Sequence, residues 1–277
     1  MLQVALDQKR WSLKQLQAIA GKLNWASMVV RGGRSYLRRL LDVMKPLKSN
    51  RHKVQASKGM KEDLRWWKDF LEVFNGKRVV RAFPMVHAAS VDACTEGGGV
   101  AWGKSWHYVN WALDQPNLKD CHINIKETAT ILLALSKWAL EWANCKVIIW
   151  SDNVTAVTCV NKGSSKCKVI MSLIRNIFWI KEILNIDLHC YYLPGKYNEV
   201  ADTISRLHEF SSWDRLRSCF GIDRDVFRCC WPYFLALHTS YKSLLCLIPQ
   251  AVKATASWGD SEQSLSSCKR VPLLLLQ

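Results

Sequence analysis

The stretch KVIIWSDNVTAV, residues 146–157, determines how we expect the central part of the chain to fold. Residues 146–150 form a short apolar run, which is typical of a parallel strand buried on both faces. Asp152 follows at the carboxyl end of this strand, and residues 153–160 then predict a short helix. Open α/β sheets bind their ligands outside the carboxyl ends of the strands, so Asp152 is a candidate site residue.

The segments on both sides of this stretch alternate between strand and helix patterns. Three short strands come first and predict an antiparallel meander, in which we interpret the glycines at 97–99 as a turn. The predicted elements are strands at 85–92, 100–103, 106–112, 146–150 and 187–193, and helices from 125 to about 144 and at 153–160, 168–184 and 199–207. This order predicts an α/β fold, a mixed five-stranded sheet flanked by helices.

Four carboxylates occupy positions that this fold brings to one edge of the sheet. Asp92 ends the first predicted strand, and Glu127 lies in the first turn of the long predicted helix. Asp152 follows the apolar strand, and Asp202 lies early in the last helix, just after a Pro-Gly turn. Taken singly, each acid has an ordinary explanation: Glu127 as a charge at a helix N-terminus, Asp152 as an N-cap, and Asp202 as a solvated residue.

Taken together, these acids indicate a metal site. Crowded carboxylates repel one another unless a divalent cation neutralises them, and oxygen ligands suit Mg²⁺ or Mn²⁺. Two such ions bound by shared carboxylates stabilise the attacking and leaving oxygens of an in-line phosphoryl displacement. The acids therefore favour nuclease chemistry.

The excess positive charge lies in the first third of the chain. The 277 residues carry a net charge of +16, and residues 1–81 hold 19 Lys and Arg against 6 Asp and Glu. Residues 11–43 predict two helices, and a basic cluster within them is the strongest candidate for nucleic-acid contact. A solvated helix face is the alternative explanation for this cluster. Its members are Arg31, Arg34, Arg38 and Arg39.

Four sequence runs together resemble the ribonuclease H domain of retroelement reverse transcriptases, and are most similar to those of DIRS-type tyrosine-recombinase retrotransposons. The runs are SVDA at 90–93, HINIKE at 122–127, SDNVTAV at 151–157 and PGKYNEVADTISR at 194–206. Their Asp, Glu, Asp, Asp order is that of type 1 ribonuclease H. The run LQAIAGKLNW at 16–25 is more weakly similar to the thumb and connection region. No Tyr-x-Asp-Asp motif occurs, so we expect a fragment of a longer polyprotein without polymerase activity.

The resemblance implies an endonuclease that cuts the RNA strand of RNA–DNA hybrids with two Mg²⁺ ions, which Mn²⁺ can replace. Asp92 would contact both ions and Asp202 the ion that activates water, while Glu127 and Asp152 would hold the ion beside the leaving oxygen. Asn124 would contact the sugar edge of the RNA, and Asn198 would help to position the scissile region. A local turn or cap is the alternative role of either asparagine.

One departure from the family pattern bears on activity. Tyr192 occupies the place, ten residues before the last Asp, where many members have a histidine. His189 lies three residues earlier, so on a strand it would face the opposite side from Tyr192. A catalytically silent nucleic-acid-binding remnant therefore stays an alternative, as does a scaffold whose acids are only surface charge.

The sequence predicts three parts of the chain. These are a basic helical thumb- or connection-like segment at 1–81, a ribonuclease H-like domain at 82–208 and a partly disordered extension at 209–277. No apolar run approaches the roughly 18–20 residues that span a bilayer, and the N-terminus has no secretory pattern. We therefore expect an intracellular protein, cytoplasmic or nuclear, that is neither secreted nor membrane-bound, and whose cysteines are free thiols.

Overall fold

A computed structural model describes residues 1–49, 52–74, 83, 85–209, 211–212 and 214. The expectations for the extension at 209–277 therefore lie almost wholly outside the described residues. The described residues form two compact units: those within Met1–Ala82 together with Cys159–Phe178, and those within Phe83–Thr158 together with the described residues from Trp179 onward. The predicted boundaries at 81/82 and 208/209 stay predictions, and the first unit contains residues 159–178 in addition to the N-terminal segment.

The N-terminal segment of the first unit is mainly helical. Its elements are α1 (Leu2–Asp7), β1 (Arg10–Ser12), α2 (Leu13–Ala26), a 3₁₀ turn (Gly33–Tyr36), α3 (Arg38–Met44), β2 (Lys53–Gln55) and α4 (Lys58–Val73). The strands β1 and β2 pair antiparallel. Ser12 begins α2 with a capping box, because its hydroxyl accepts from the Gln15 amide while the Gln15 side chain accepts from the Ser12 amide.

Apolar side chains from these helices form the core of the first unit. Leu16, Leu40 and Leu64 are at most 1% exposed. The Tyr36 ring stacks on Trp66 with 3.9 Å between the ring centroids, and the indole nitrogen of Trp67 donates to the Tyr36 carbonyl. This burial is the main stabilising contribution in a segment whose surface is strongly basic.

The second unit contains a five-stranded mixed sheet flanked by helices, as in ribonuclease H-like α/β folds, and this fold prediction is confirmed. The elements from β3 onward are β3 (Val86–Ala93), β4 (Gly97–Trp102), β5 (Ser105–Asn110), α5 (Trp111–Asp114), α6 (Ile123–Trp138), β6 (Lys146–Ser151), α7 (Val154–Lys162), α8 (Lys168–Ile183), β7 (Asp187–Tyr192) and α9 (Glu199–Ser205). Residues 159–178 of α7 and α8 belong to the first unit. The strand order is β5-β4-β3-β6-β7. The strands β3, β4 and β5 pair antiparallel, and β6 lies parallel to both β3 and β7.

The glycines at 97–99 are not the turn that the sequence analysis predicted, because they begin strand β4. A Cβ atom on Gly99 would lie 2.6 Å from the Ala201 carbonyl oxygen and would also clash with the Ser205 amide nitrogen. Helix α9 therefore packs directly on the backbone of β4. This close approach leaves no room for a side chain, which explains the glycines in this strand.

No helix in the described part of the chain combines the length and the apolar character that are needed to cross a bilayer.

Candidate active site

Asp92, Glu127 and Asp152 converge at one edge of the sheet in the second unit. Asp92 is the seventh residue of β3, and Asp152 follows β6, which lies parallel to β3, so both acids lie near the carboxyl ends of these strands. Glu127 extends from α6, which packs against β3 and β4. Each acid offers one oxygen, and these three oxygens lie within 4.8 Å of one another. The distance is short enough for a single cation to contact all three.

The local structure removes two of the simpler explanations for these acids. Glu127 is the fifth residue of α6 and is 3% exposed, so it is a buried side chain rather than a charge in the first turn of the helix. Asp152 does not cap α7, because the Asn153 side chain accepts from the Ala156 amide at 2.9 Å.

Glu127 has an incomplete hydrogen-bond environment. The Ala93 amide and the Ser151 hydroxyl lie near its carboxylate and lower its pKa in part, but its Oε2 atom is buried and has no hydrogen-bond partner. A buried carboxylate oxygen without a partner is costly unless a cation or a proton completes it. Burial, followed by the charges of Asp92 and Asp152, raises the pKa of Glu127 to about 9.

Asp92 is also buried, at 5% exposure, and the Ser205 hydroxyl, which donates to the Asp202 carbonyl at 2.8 Å, lies close enough to lower the pKa of Asp92 in part. Burial is the main reason that its pKa rises to about 6, and the charges of Asp152 and Asp202 act in the same direction. The pKa of the partly exposed Asp152 is raised by burial and by Asp202. In the metal-free protein the site therefore retains protons that a bound divalent cation would displace.

Asp202 stands apart from this group of three. It lies in α9 with a side chain that is 39% exposed, and its Oδ1 pairs with the Arg206 Nε at 2.9 Å. Asp202 is close enough to raise the pKa of both Asp92 and Asp152. The donor set of three converging carboxylates, with a fourth nearby and an unpartnered buried oxygen, fits a hard divalent cation.

The two asparagines predicted to contact nucleic acid differ in exposure. Asn124 is the second residue of α6 and is partly exposed, and its Oδ1 accepts from the Asn153 side chain at 2.9 Å. Asn198 is 2% exposed, and its Nδ2 donates to the Val91 carbonyl at 2.9 Å, while its Oδ1 is buried without a partner. This hydrogen bond ties the residue before α9 to β3, close to Asp92.

The four arginines predicted to contact nucleic acid lie in the first unit. Arg38 hydrogen-bonds to Asp42, with 3.1 Å between Nε and Oδ1, and Arg39 lies 2.7 Å from Glu62. Arg34 is exposed and Arg31 is partly exposed. The cluster thus includes two arginines that already hold carboxylates, and its role in nucleic-acid binding stays a prediction.

Tyr192 is the last residue of β7 and pairs in register with Ser151, the residue before Asp152. Its side chain is 50% exposed. His189 lies earlier in the same strand, and its Nε2 atom is 3.2 Å from the Asp187 Oδ2 atom. The hydroxyls of Ser151 and Ser205 and the side-chain amide of Asn153 were not predicted from the sequence, since only the fold places them beside the acids or Asn124.

No family model and no curated protein matches this chain. Two solved structures are similar in part: a foamy viral protease-reverse transcriptase in complex with double-stranded DNA, and the native prototype foamy virus protease-reverse transcriptase. The identities are 14% and 19%, with a TM-score of 0.29 for each. Both matches cover 66% of this chain, which spans 34% of the first protein and 25% of the second. At this similarity they carry no argument about its function.

Proposed function

We propose that this chain is a metal-dependent endonuclease that hydrolyses the RNA strand of RNA–DNA hybrids. The observation that carries the proposal is the convergence of Asp92, Glu127 and Asp152 within 4.8 Å, with the buried Glu127 Oε2 atom left without a partner. The order of the acids along the chain and the ribonuclease H-like fold support this chemistry over other uses of a carboxylate site.

The four acids would hold two Mg²⁺ ions, with Mn²⁺ as a substitute. When bound, the ions supply charge stabilisation to the attacking and leaving oxygens of the displaced phosphodiester. Asp92 would contribute to both ions, Glu127 and Asp152 to one, and Asp202 to the other. The Ser205 hydroxyl lies beside Asp92, and the Ser151 hydroxyl and the Ala93 amide lie beside Glu127, where such groups favour the ionised, metal-binding form of each acid. For Asp202 to serve as a ligand, its carboxylate has to leave or share the Arg206 guanidinium.

The basic first unit would provide sequence-independent affinity for the nucleic acid. Arg31 and Arg34 are the strongest candidates for phosphate contact, because Arg38 and Arg39 already form ion pairs. Asn124 lies one helical turn before Glu127 and would contact the RNA strand beside the scissile bond. We propose further that the chain is part of a retrotransposon reverse transcriptase polyprotein of the DIRS type, with residues 1–81 as a thumb- or connection-like segment.

A catalytically silent nucleic-acid-binding protein is the second candidate function. Two observations favour this binding function. Tyr192 lies where related nucleases have a histidine, and the Asp202 carboxylate already forms an ion pair with Arg206. Both functions predict salt-sensitive binding to the hybrid, and only the first predicts cleavage.

Cleavage of a labelled RNA–DNA hybrid in Mg²⁺ and in Mn²⁺ separates the two functions, with Asp152→Asn as the matched control. We expect the RNA strand alone to be cut, and the variant to lose this activity while it still binds the hybrid. Intact binding with no cleavage by the unaltered chain in either metal would establish the binding protein instead.

A further inference from the structure

The Asn153 side chain connects the N-termini of two helices beside the acidic site. Asn153 follows Asp152 directly, and its Oδ1 accepts from the Ala156 amide at 2.9 Å, which caps α7. Its backbone amide donates to the Ser151 hydroxyl at 3.1 Å. Its Nδ2 donates to the Asn124 Oδ1 atom at 2.9 Å, across to the first turn of α6.

These contacts determine the orientation of both side-chain amides. A backbone N–H can only donate, so the amide of Ala156 requires the oxygen of Asn153 on its side. The NH₂ group of Asn153 then faces Asn124, which has to present its own oxygen in return. The NH₂ group of the partly exposed Asn124 consequently has no hydrogen-bond partner within the described part of the molecule. Asn124 therefore offers a pair of donors, and no acceptor, to a ligand at this edge.

We propose that Asn153 is a positioning residue that holds Asn124 as a hydrogen-bond donor toward the RNA strand. The inference rests on the proposed function. A donor in this place needs an acceptor oxygen or nitrogen, and the 2′-oxygen is the acceptor that an RNA strand has and a DNA strand lacks. The direction of the amide, set by Asn153, thus contributes to the discrimination of a hybrid from a DNA duplex.

Two substitutions at this position separate the bridge from the helix cap. Asn153→Ser keeps an oxygen that caps α7 but is too short to reach Asn124. Asn153→Asp keeps the cap and the length, but its carboxylate only accepts, so the Asn124 amide has to turn its NH₂ group inward and its oxygen outward. Asn124→Ala removes the donor itself.

The measurement is the ratio of dissociation constants for DNA duplex and RNA–DNA hybrid of one sequence, taken without divalent metal. The ratio cancels the general effect of the added charge in Asn153→Asp. We expect each single variant to reduce the preference for the hybrid by about threefold to tenfold, which corresponds to one neutral hydrogen bond. We expect Asn153→Ser to cause no further loss when Asn124 is already alanine. An equal second loss in that double variant would overturn the proposal, because Asn153 would then act independently of Asn124.

A second readout does not depend on the substrate. The side-chain NH₂ signal of Asn124 in a ¹⁵N correlation spectrum, assigned by its loss in Asn124→Ala, should shift in Asn153→Ser. An unshifted signal would overturn the positioning role even if the hybrid is preferred. A shifted signal in a protein that does not prefer the hybrid would support the Asn153–Asn124 hydrogen bond but would contradict recognition of the RNA strand.

Discussion

Buried carboxylates occur in both units, and their surroundings differ. In the first unit the Asp63 side chain is 2% exposed and lies 2.9 Å from the Arg175 Nη2 and 3.3 Å from the Arg39 Nη1. Burial raises the pKa of Asp63, and the two guanidinium groups lower it. Arg175 is itself held over the Tyr36 ring. The protein supplies both members of this ion pair, so the cluster is complete without a ligand.

In the second unit, Asp92 and Glu127 are buried to a similar degree, but the polar groups beside them are neutral hydroxyl and amide groups. Arg206 acts on this group from the side of Asp202, and Glu127 still has an unpartnered oxygen. The two groups of buried acids differ in how their charge is balanced. Asp63 has its cations within the chain, whereas Asp92 and Glu127 have no such cation beside them among the described residues, as the proposed metal site requires.

The largest expected effect is on catalysis. Asp92→Asn should reduce the rate of hybrid cleavage by about a thousandfold or more, because this acid would contact both metal ions and the amide cannot replace its charge. The rate is measured in single-turnover reactions at saturating Mg²⁺. Asp120→Asn removes an exposed acid of the same unit and should leave the rate within about twofold. A loss of less than tenfold in Asp92→Asn would contradict the assigned role.

The next effect is on stability, in the first unit. Asp63→Ala should lower the free energy of unfolding by about 3–5 kcal/mol, since it leaves the mostly buried Arg175 guanidinium without its carboxylate, whereas Arg39 keeps its pair with Glu62. Denaturant titration measures this change, and added Mg²⁺ should not reverse it. Glu72→Ala breaks an exposed pair with Lys68 and should cost less than about 1 kcal/mol. A similar loss of unfolding free energy in Asp63→Ala and Glu72→Ala would show that the buried pair stabilises the protein no more than the exposed pair does.

Added Mg²⁺ should stabilise the second unit, whereas the buried ion pair of the first unit needs no added ligand. Mg²⁺ at about a hundred times its dissociation constant should add about 2–3 kcal/mol to the free energy of unfolding. Glu127→Gln should abolish most of this gain, yet stabilise the metal-free protein at pH 8, because the folded protein holds Glu127 protonated at a pH where the unfolded chain has it ionised, and the amide does not need this proton. Thermal melts with Mg²⁺ and with chelator test both statements. A Mg²⁺ response unchanged in Glu127→Gln would exclude this residue as a ligand.

The metal-free protein should lose stability as the pH rises. The folded-state pKa values of Glu127, at about 9, and of Asp92, at about 6, lie above the ordinary values of these groups. The native state therefore binds more protons than the unfolded state between about pH 4 and pH 9, and its stability falls through that window. We expect a fall of about 2–3 kcal/mol between pH 6 and pH 8, measured in chelator. The slope should flatten in Glu127→Gln and be nearly absent in saturating Mg²⁺.

The smallest expected effect is at the end of β7. Tyr192→His places an imidazole on the strand position that pairs with Ser151, beside Asp152. A titratable group there assists proton transfer near neutral pH, so cleavage should rise by about twofold to tenfold. Tyr191→His, on the other face of the strand, is the matched control and should have no effect. A gain in both variants would point to added positive charge rather than to position.

The sequence predicted the sheet and the acids because both follow from local patterns. Apolar runs indicate the strands, and parallel strands bring their carboxyl ends to one edge, so Asp92 and Asp152 were expected to be neighbours. The pairing of Asp63 with Arg175 was not predictable, since these residues lie 112 positions apart and only the fold brings them together. The glycines at 97–99 were misread because a strand whose residues lack side chains shows no alternating pattern. The bond between Asn153 and Asn124 depends on atomic positions that no sequence pattern carries.

The contact between α9 and Gly99 makes the distance between Asp92 and Asp202 sensitive to mutation at position 99. Asp202 lies on a helix whose backbone touches the backbone of β4, and Asp92 pairs in register with Gly99. Side chains cannot accommodate an added atom at such a contact by changing rotamer, since no side chain lies between the two elements. A methyl group at position 99 would displace the whole helix and change the separation of the two carboxylates, although it touches neither. The tolerance of this site to mutation therefore depends on a residue that has no side chain.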